Sequence, residues 1–311
     1  MPIDPYARRF LDRLAAMNPP SVQTLSVSGR RDALEQLLIL SGSRAPVSHV
    51  EDRSLPGPGG PLPARLYTPT AAPANDLPGL IYFHGGGFVA GNLDSHDAIC
   101  RSLCNASGCR LIAIDYRLAP EHPFPAAIED GYSAVSWVAT HAAEFGVDRD
   151  RLAVGGDSAG AMLAAAVCQR VGATQDVHLA LQLLLCPIMD YGAQTDSRRS
   201  FAEGYFLDRA TLEHDCKYYL SAGADLADPR VSPLRANDLS AVAPTSIHTA
   251  EYDPVRDEGA AYAQRLRLAG VQTSYHCHSG MIHLFYGMGV MIPYAAAAYQ
   301  LIGADIRARL S

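Results

Sequence analysis

The chain has 311 residues, of which 18% are charged and 48% apolar, enough for one large core with or without an appended subdomain and unlike a disordered chain. Its formal charge of −7 comes without a long run of one sign, so the basic footprint that nucleic acid or an anionic membrane surface needs is missing. The N-terminus lacks the pattern of a secretory signal, and the most apolar segment, residues 179–189, is too short to span a bilayer. Seven cysteines without a CxxC spacing suit free thiols in a reducing cytoplasm rather than disulfides or a metal site.

The first 45 residues predict helices. Phe10, Leu11 and Leu14 fall at helical spacing, and Leu34, Leu37 and Leu38 form a second apolar stripe. Two strand-like runs, 47–52 and 64–67, flank a Pro/Gly-rich stretch at 56–63, which signals a hairpin. From there strands and helices alternate. Strands are expected at 80–83, 111–114, 152–154, 179–185, 245–249 and 271–276. Helices are expected from a cap at Asp94 or Ser95 to about 106, at 126–141, 159–170 and 258–268, and from about 293 to the end. Repeated strand–helix units predict a mostly parallel sheet with helices on both faces. Residues 187–239 break this rhythm. They read as helices without a strand and, paired with the N-terminal helices, as a lid over the carboxyl ends of the strands.

Gly156-Asp157-Ser158-Ala159-Gly160 directly follows the predicted strand 152–154 and opens the next helix. In this strand–turn–helix setting GxSxG is the pattern of a nucleophile elbow. A sharp turn forces the middle residue into a strained conformation, and its neighbours must be small. The competing reading is a glycine-rich turn with Ser158 as a helix cap. His84-Gly85-Gly86-Gly87-Phe88 follows the strand 80–83. Consecutive glycines let main-chain N–H groups converge on one point, as a developing alkoxide requires. Gly85 and Gly86, with Ala159 after the nucleophile, are the expected donors. The other use of such a turn, a phosphate loop, would want a following Lys-Ser/Thr or GxGxxG, and neither is present.

The fold order places an acid and then a base after the nucleophile. Asp253 lies just past the strand 245–249, where Pro254 ends the extended run. His283 lies beyond the strand 271–276, in reach of both. Spacing alone leaves competitors: His276 and His278 for the base, and Glu251, Asp257 and Glu258 for the acid.

Five blocks in this order resemble the hormone-sensitive-lipase-like group of α/β-hydrolase esterases. They are His84-Gly85-Gly86-Gly87-Phe88, the run from Asp115-Tyr116-Arg117-Leu118-Ala119-Pro120 to Ala126, Gly156-Asp157-Ser158-Ala159-Gly160, Asp253-Pro254-Val255-Arg256-Asp257-Glu258-Gly259, and Gly280-Met281-Ile282-His283. The resemblance covers nearly the whole chain. It implies an α/β-hydrolase fold with a mostly parallel sheet of about eight strands. It implies a core formed by residues 46–187 and 241–311, and a helical cap formed by residues 1–45 and 188–240. It also implies the triad Ser158, Asp253 and His283, an oxyanion hole at Gly85, Gly86 and Ala159, no cofactor, and in many members a homodimer. Ala161 stands where the family often has a further glycine, and Leu284 where it often has a small residue, which bears on pocket shape rather than chemistry.

The expected activity is hydrolysis of a small, uncharged ester by a carboxylesterase. The same triad would serve a deacetylase, lactonase, amidase or acyltransferase. A binding module that keeps the fold but not the chemistry is disfavoured by His283. Phe88, Tyr205, Phe206, Leu284 and Phe285 are candidate walls of a finite pocket and, equally, candidates for ordinary core; the pocket is expected to favour acyl chains of about eight carbons or fewer.

Overall fold

In a computed structural model of the chain, residues 1–70 and 76–311 are described. The chain opens with helices α1 (Pro5–Ala16) and α2 (Val27–Ser41) and a hairpin of β1 (His49–Gly57) and β2 (Gly60–Thr68). There follow β3 (Leu77–Phe83), α3 (Asp97–Ser107), β4 (Arg110–Ile114), α4 (Ala126–Thr140), β5 (Val147–Asp157), α5 (Ala159–Thr174) and β6 (Leu181–Leu185). Helices α6 (Asp196–Ser200) and α7 (Arg209–Tyr219) come next. The chain closes with β7 (Thr245–Tyr252), α8 (Arg256–Leu268), β8 (Thr273–Ile282) and α9 (Tyr294–Leu310).

The eight strands form one sheet in the order β1-β2-β4-β3-β5-β6-β7-β8. The pairs β1–β2 and β2–β4 are antiparallel, and all others are parallel. Strand alternation sorts side chains into two cores. From β3, Ile81 and Phe83 join one core and Leu80 and Tyr82 the other; from β4, Ile112 and Ile114 part from Leu111 and Ala113 in the same way. The first core takes in Ile128 and Val135 of α4, Met162 and Leu163 of α5, and Tyr262 of α8. The second takes in Ile99 and Leu103 of α3 and Ile302 and Ile306 of α9, with Phe10 and Leu34 from the N-terminal helices. Burying both faces is what makes the central strands read as unbroken apolar runs.

Several boundaries differ from the sequence expectation. The Pro/Gly-rich stretch is mostly strand, with a turn of only Pro58-Gly59. β1 is an edge strand and β2 meets β4 only over residues 64–67, so Pro56, Pro61 and Pro63 interrupt no second ladder. β5 begins five residues earlier than its apolar core suggests, through the polar Asp148–Arg151 ion pair at 2.8 Å. β8 runs six residues past His276. Helix α3 starts at Asp97, because the Ser95 hydroxyl is spent on a turn with Asn92 (2.9 Å) rather than on a cap. Residues 188–240 carry α6, α7 and a single 3₁₀ turn, with no strand. They touch the N-terminal segment through the Phe10–Phe206 ring pair (5.8 Å) and the Arg30–Asp215 ion pair (2.9 Å).

Candidate active site

Ser158 sits between the end of β5 and the start of α5 with φ 53° and ψ −117°. A non-glycine residue there is strained by about 1–3 kcal/mol, and the surroundings must hold it. The Ser158 N–H donates to Leu185 O (2.8 Å), and Ser158 O accepts from Met162 N (3.1 Å). The flanking glycines have no room for a side chain. A Cβ on Gly160 would overlap the carbonyl oxygens of Phe83 and His84, and one on Gly156 would fall 2.5 Å from Phe83 O. The end of β3 and the turn at Ser158 therefore pack backbone on backbone. We predict that Gly160→Ala destabilises the fold by about 3 kcal/mol or more, since fixed carbonyls cannot yield as a side chain would. Chemical denaturation would show it, and an unshifted midpoint would count against this packing.

Asp253 follows β7 directly and His283 follows β8 directly. β7 and β8 are parallel neighbours, so their carboxyl ends open on the same rim as Ser158. His283 Nδ1 lies 2.7 Å from Asp253 Oδ2, and His283 Nε2 lies 3.0 Å from Ser158 Oγ. A carboxylate only accepts, so the ring proton sits on Nδ1 and the Nε2 lone pair faces the hydroxyl. Asp253 Oδ1 accepts from Val255 N (3.0 Å), which fixes the carboxylate from its other side. Ser158, Asp253 and His283 are all buried.

The competing residues are engaged elsewhere. Glu251 pairs with the N-terminal amine (2.9 Å) and accepts from Gly280 N (2.7 Å). Asp257 accepts from Ser197 N (2.8 Å), and Glu258 accepts from Arg198 Nε (2.6 Å) and the N–H groups of Met189 and Asp190. His276 Nε2 pairs with Asp305 (3.1 Å), and His278 lies between His248 and Tyr294 (3.2 Å each). Burial, with His248 and His276 alongside, pushes the His278 pKa down to about 3 from 6.5. Below pH 6.5 the unfolded chain binds a proton that the folded one refuses, so this contribution is complete above pH 6.5 and is lost as pH falls toward 3. At pH 5 the loss is about 2 kcal/mol. His278→Gln is expected to flatten the fall in unfolding free energy between pH 7 and pH 5; equal slopes in variant and parent would contradict it.

The loop after β3 departs from expectation at one candidate oxyanion donor, Gly85. The Gly85 N–H points inward, to Asp157 Oδ1 (3.1 Å) and His96 Nε2 (3.3 Å), so it is already used. Among the described residues, the N–H groups of Gly86, Gly87 and Ala159 have no acceptor. Gly86 and Gly87 adopt φ 121° and 68°, the region open to glycine. Ala159 is the first residue of α5, where helical N–H groups are unpaired. Asp157 was missed by the sequence reading. It is fully buried, and Tyr82 Oη donates to it at 2.7 Å. Burial opposes its ionisation, but His96, Tyr82 and His84 outweigh burial and hold its carboxyl below the usual range. Its signal was an acid one position before Ser158, in a turn whose other residues are all small.

The expected pocket walls divide. Phe88 is fully buried and stacked on Tyr219 (3.9 Å), and Phe285 is fully buried against His278 and Tyr294 (5.0 and 5.8 Å). Neither offers surface to a substrate; both are core. Leu284 is also buried, whereas Tyr205 and Phe206 are half-buried, with Tyr205 stacked on Tyr252 (5.6 Å). A cleft of about 510 Å³ beside α7 contains none of the five; Tyr191, Leu212, Cys216 and Pro254 are among its walls. A second unforeseen neighbour is Cys186, whose Sγ lies with donor atoms of Asp253 and His283 in a group within 4.8 Å. Burial and the Asp253 carboxylate push this thiol far up, so it stays neutral. Two of the three donor groups are already bonded to each other in the His283–Asp253 pair.

A strained serine in a strand–turn–helix, facing unpaired main-chain N–H groups at the rim of a mostly parallel sheet, is the arrangement of an α/β hydrolase. Residues 80–287 match the family described as the alpha/beta hydrolase fold, and the chain belongs to that family, in its hormone-sensitive-lipase-like branch. It is 43% identical over 277 residues to the carboxylic ester hydrolase LipN of Mycobacterium tuberculosis, a match spanning 86% of this chain and 72% of the relative. It is 35% identical to an arylesterase of Saccharolobus solfataricus, across 92% and 93% of the two chains. A solved ester hydrolase from the metagenome of Lake Arreo, complexed with a bipyridine phosphonate derivative, superposes with a TM-score of 0.96 at 41% identity over 98% of both chains. No helix among the described residues is long and apolar enough to cross a membrane.

Proposed function

We propose that the chain is a carboxylic ester hydrolase that works through Ser158, His283 and Asp253 on small uncharged esters. The observation that carries this is the position of one imidazole, 3.0 Å from a strained serine hydroxyl and 2.7 Å from a buried carboxylate. His283 Nε2 takes the hydroxyl proton as Ser158 Oγ attacks the ester carbonyl. The alkoxide oxygen of the tetrahedral intermediate is received by the N–H groups of Gly86, Gly87 and Ala159. The imidazolium then gives its proton to the departing alcohol and leaves an acyl-enzyme on Ser158. Water, deprotonated by the same nitrogen, releases the acid. Asp253 holds the ring tautomer and steadies its positive charge throughout.

Residues 1–45 and 188–240 act in this reading as one cap, and 46–187 with 241–311 as the hydrolase core. The contacts of Phe10 with Phe206 and of Arg30 with Asp215 support it. We place the enzyme in the cytoplasm, a reading supported by seven free thiols. A homodimer suits β8, which among the described residues is an edge strand paired with β7 alone. A series of p-nitrophenyl esters tests the substrate class. Rates are expected to be highest for acyl chains of about eight carbons or fewer. A rate that climbs steadily toward long chains, or no hydrolysis at any length, would overturn it.

A further inference from the structure

The loop that presents Gly86 and Gly87 is pressed on by a charge. Asp215, in the middle of α7, is buried, and its Oδ2 fills the space in which a Cβ on Gly87 would stand. Its partners are Arg30 of α2 (Nη2 to Oδ2, 2.9 Å) and His214 Nδ1 (3.0 Å). The Arg30 side chain is itself only 13% exposed, so the ion pair is poorly screened by water. Arg31, its neighbour on α2, ties the helix to the same loop by donating to Val89 O (2.9 Å), and to the segment after β4 by donating to Ala119 O (3.1 Å).

A carboxylate packed on this backbone has the wrong sign for its surroundings. When the alkoxide forms against the Gly86 and Gly87 amides, an unbalanced negative charge beside Gly87 raises the energy of that state more than of the neutral ester. We propose that Arg30 and Asp215 are a neutralised positioning pair: Asp215 fixes the oxyanion loop by filling the space beside Gly87, and Arg30 cancels the charge which that filling brings. The two residues come from the two chain segments that frame the core, so the pair also makes the oxyanion loop depend on both being docked. Neither residue touches the reacting atoms. The proposal rests on the triad and oxyanion reading given above, and it assigns unequal roles to two partners of one ion pair.

The test is a double-mutant cycle on the full-length enzyme, read as kcat and KM for p-nitrophenyl acetate, with thermal melting to confirm folding. Arg30→Met leaves the carboxylate uncompensated, and kcat is expected to fall on the order of 100-fold with KM changed by less than about threefold. Asp215→Asn keeps the shape and removes the charge, so its kcat should fall by less than about tenfold. The double variant is expected to recover at least about tenfold over Arg30→Met, and Arg30→Lys to retain most of the activity. Arg30→Gln, alone and with Asp215→Asn, makes the same comparison if methionine at 30 does not fold. A double variant no faster than the Arg30 single variant, or an Asp215→Asn effect as large as that of Arg30→Met, overturns the proposal. A phosphonate ester that labels Ser158 in the parent enzyme separates the outcomes. If the parent neither labels nor hydrolyses, the triad reading has failed; if it does both and the cycle is additive, only the pair has.

Discussion

Ser158→Ala is expected to lower kcat by about six orders of magnitude, because removal of the nucleophile leaves only binding and oxyanion stabilisation to act on water. The variant should bind a short ester with nearly unchanged affinity, since the pocket walls and the main-chain donors remain. Its fold should be as stable as the parent's, because alanine keeps the same strain at φ 53°. Glycine is different. Ser158→Gly is expected to be equally inactive yet more stable by about 1 kcal/mol, as the left-handed conformation no longer carries a Cβ. Burst and steady-state kinetics with p-nitrophenyl butyrate, beside denaturation of all three proteins, check both halves. Residual turnover above about one-thousandth of the parent rate would mean that another group attacks the ester.

Asp253→Asn is expected to cost about four orders of magnitude in kcat with little change in structure. The asparagine fits the same space, but its amide can donate to His283 Nδ1. The ring would then carry its proton on Nε2, which faces Ser158 at 3.0 Å, and the base is lost at the atom that needs it. Steady-state kcat and a crystal structure of the variant would check this. A variant retaining more than about a tenth of the parent kcat would show that Asp253 does not set the tautomer. Glu251, Asp257 and Glu258, the other acids near this turn, are held by the N-terminal amine, Arg256 and Arg198 respectively. Their loss should register in stability before it registers in catalysis.

The central strands and the two glycine-bearing turns were legible because their chemistry is local. A strand covered on both faces must be almost wholly apolar, as in β6, where Gln182 is the one polar residue, and a serine at positive φ needs small neighbours whatever surrounds it. What could not be read was decided by side chains distant in sequence. Gly85 and Gly87 look alike as residues, and it is Asp157, 72 positions beyond Gly85, together with His96, that shows that the first amide is already taken. Of the aromatic residues named as candidate pocket walls, Phe88 and Phe285 belong to the core for the same reason. Phe88 becomes core because Tyr219 stacks on it, and nothing near residue 88 announces that partner. β8 extends past the expected end at His276 because His278 finds partners distant in sequence, His248 of β7 and Tyr294 of α9. The prolines of the first hairpin suggested a long loop and instead occupy strands with little second ladder to break.

Ser158, His283 and Asp253 are expected to work as one unit, and covalent labelling tests this most directly. The enzyme is treated with a p-nitrophenyl alkylphosphonate, and the adduct is located by peptide mass spectrometry while released p-nitrophenol gives the rate. One equivalent is expected on Ser158 in the parent, with labelling slowed by about a thousandfold or more in His283→Ala. A label on any other residue, or a His283→Ala variant that labels at the parent rate, would contradict it.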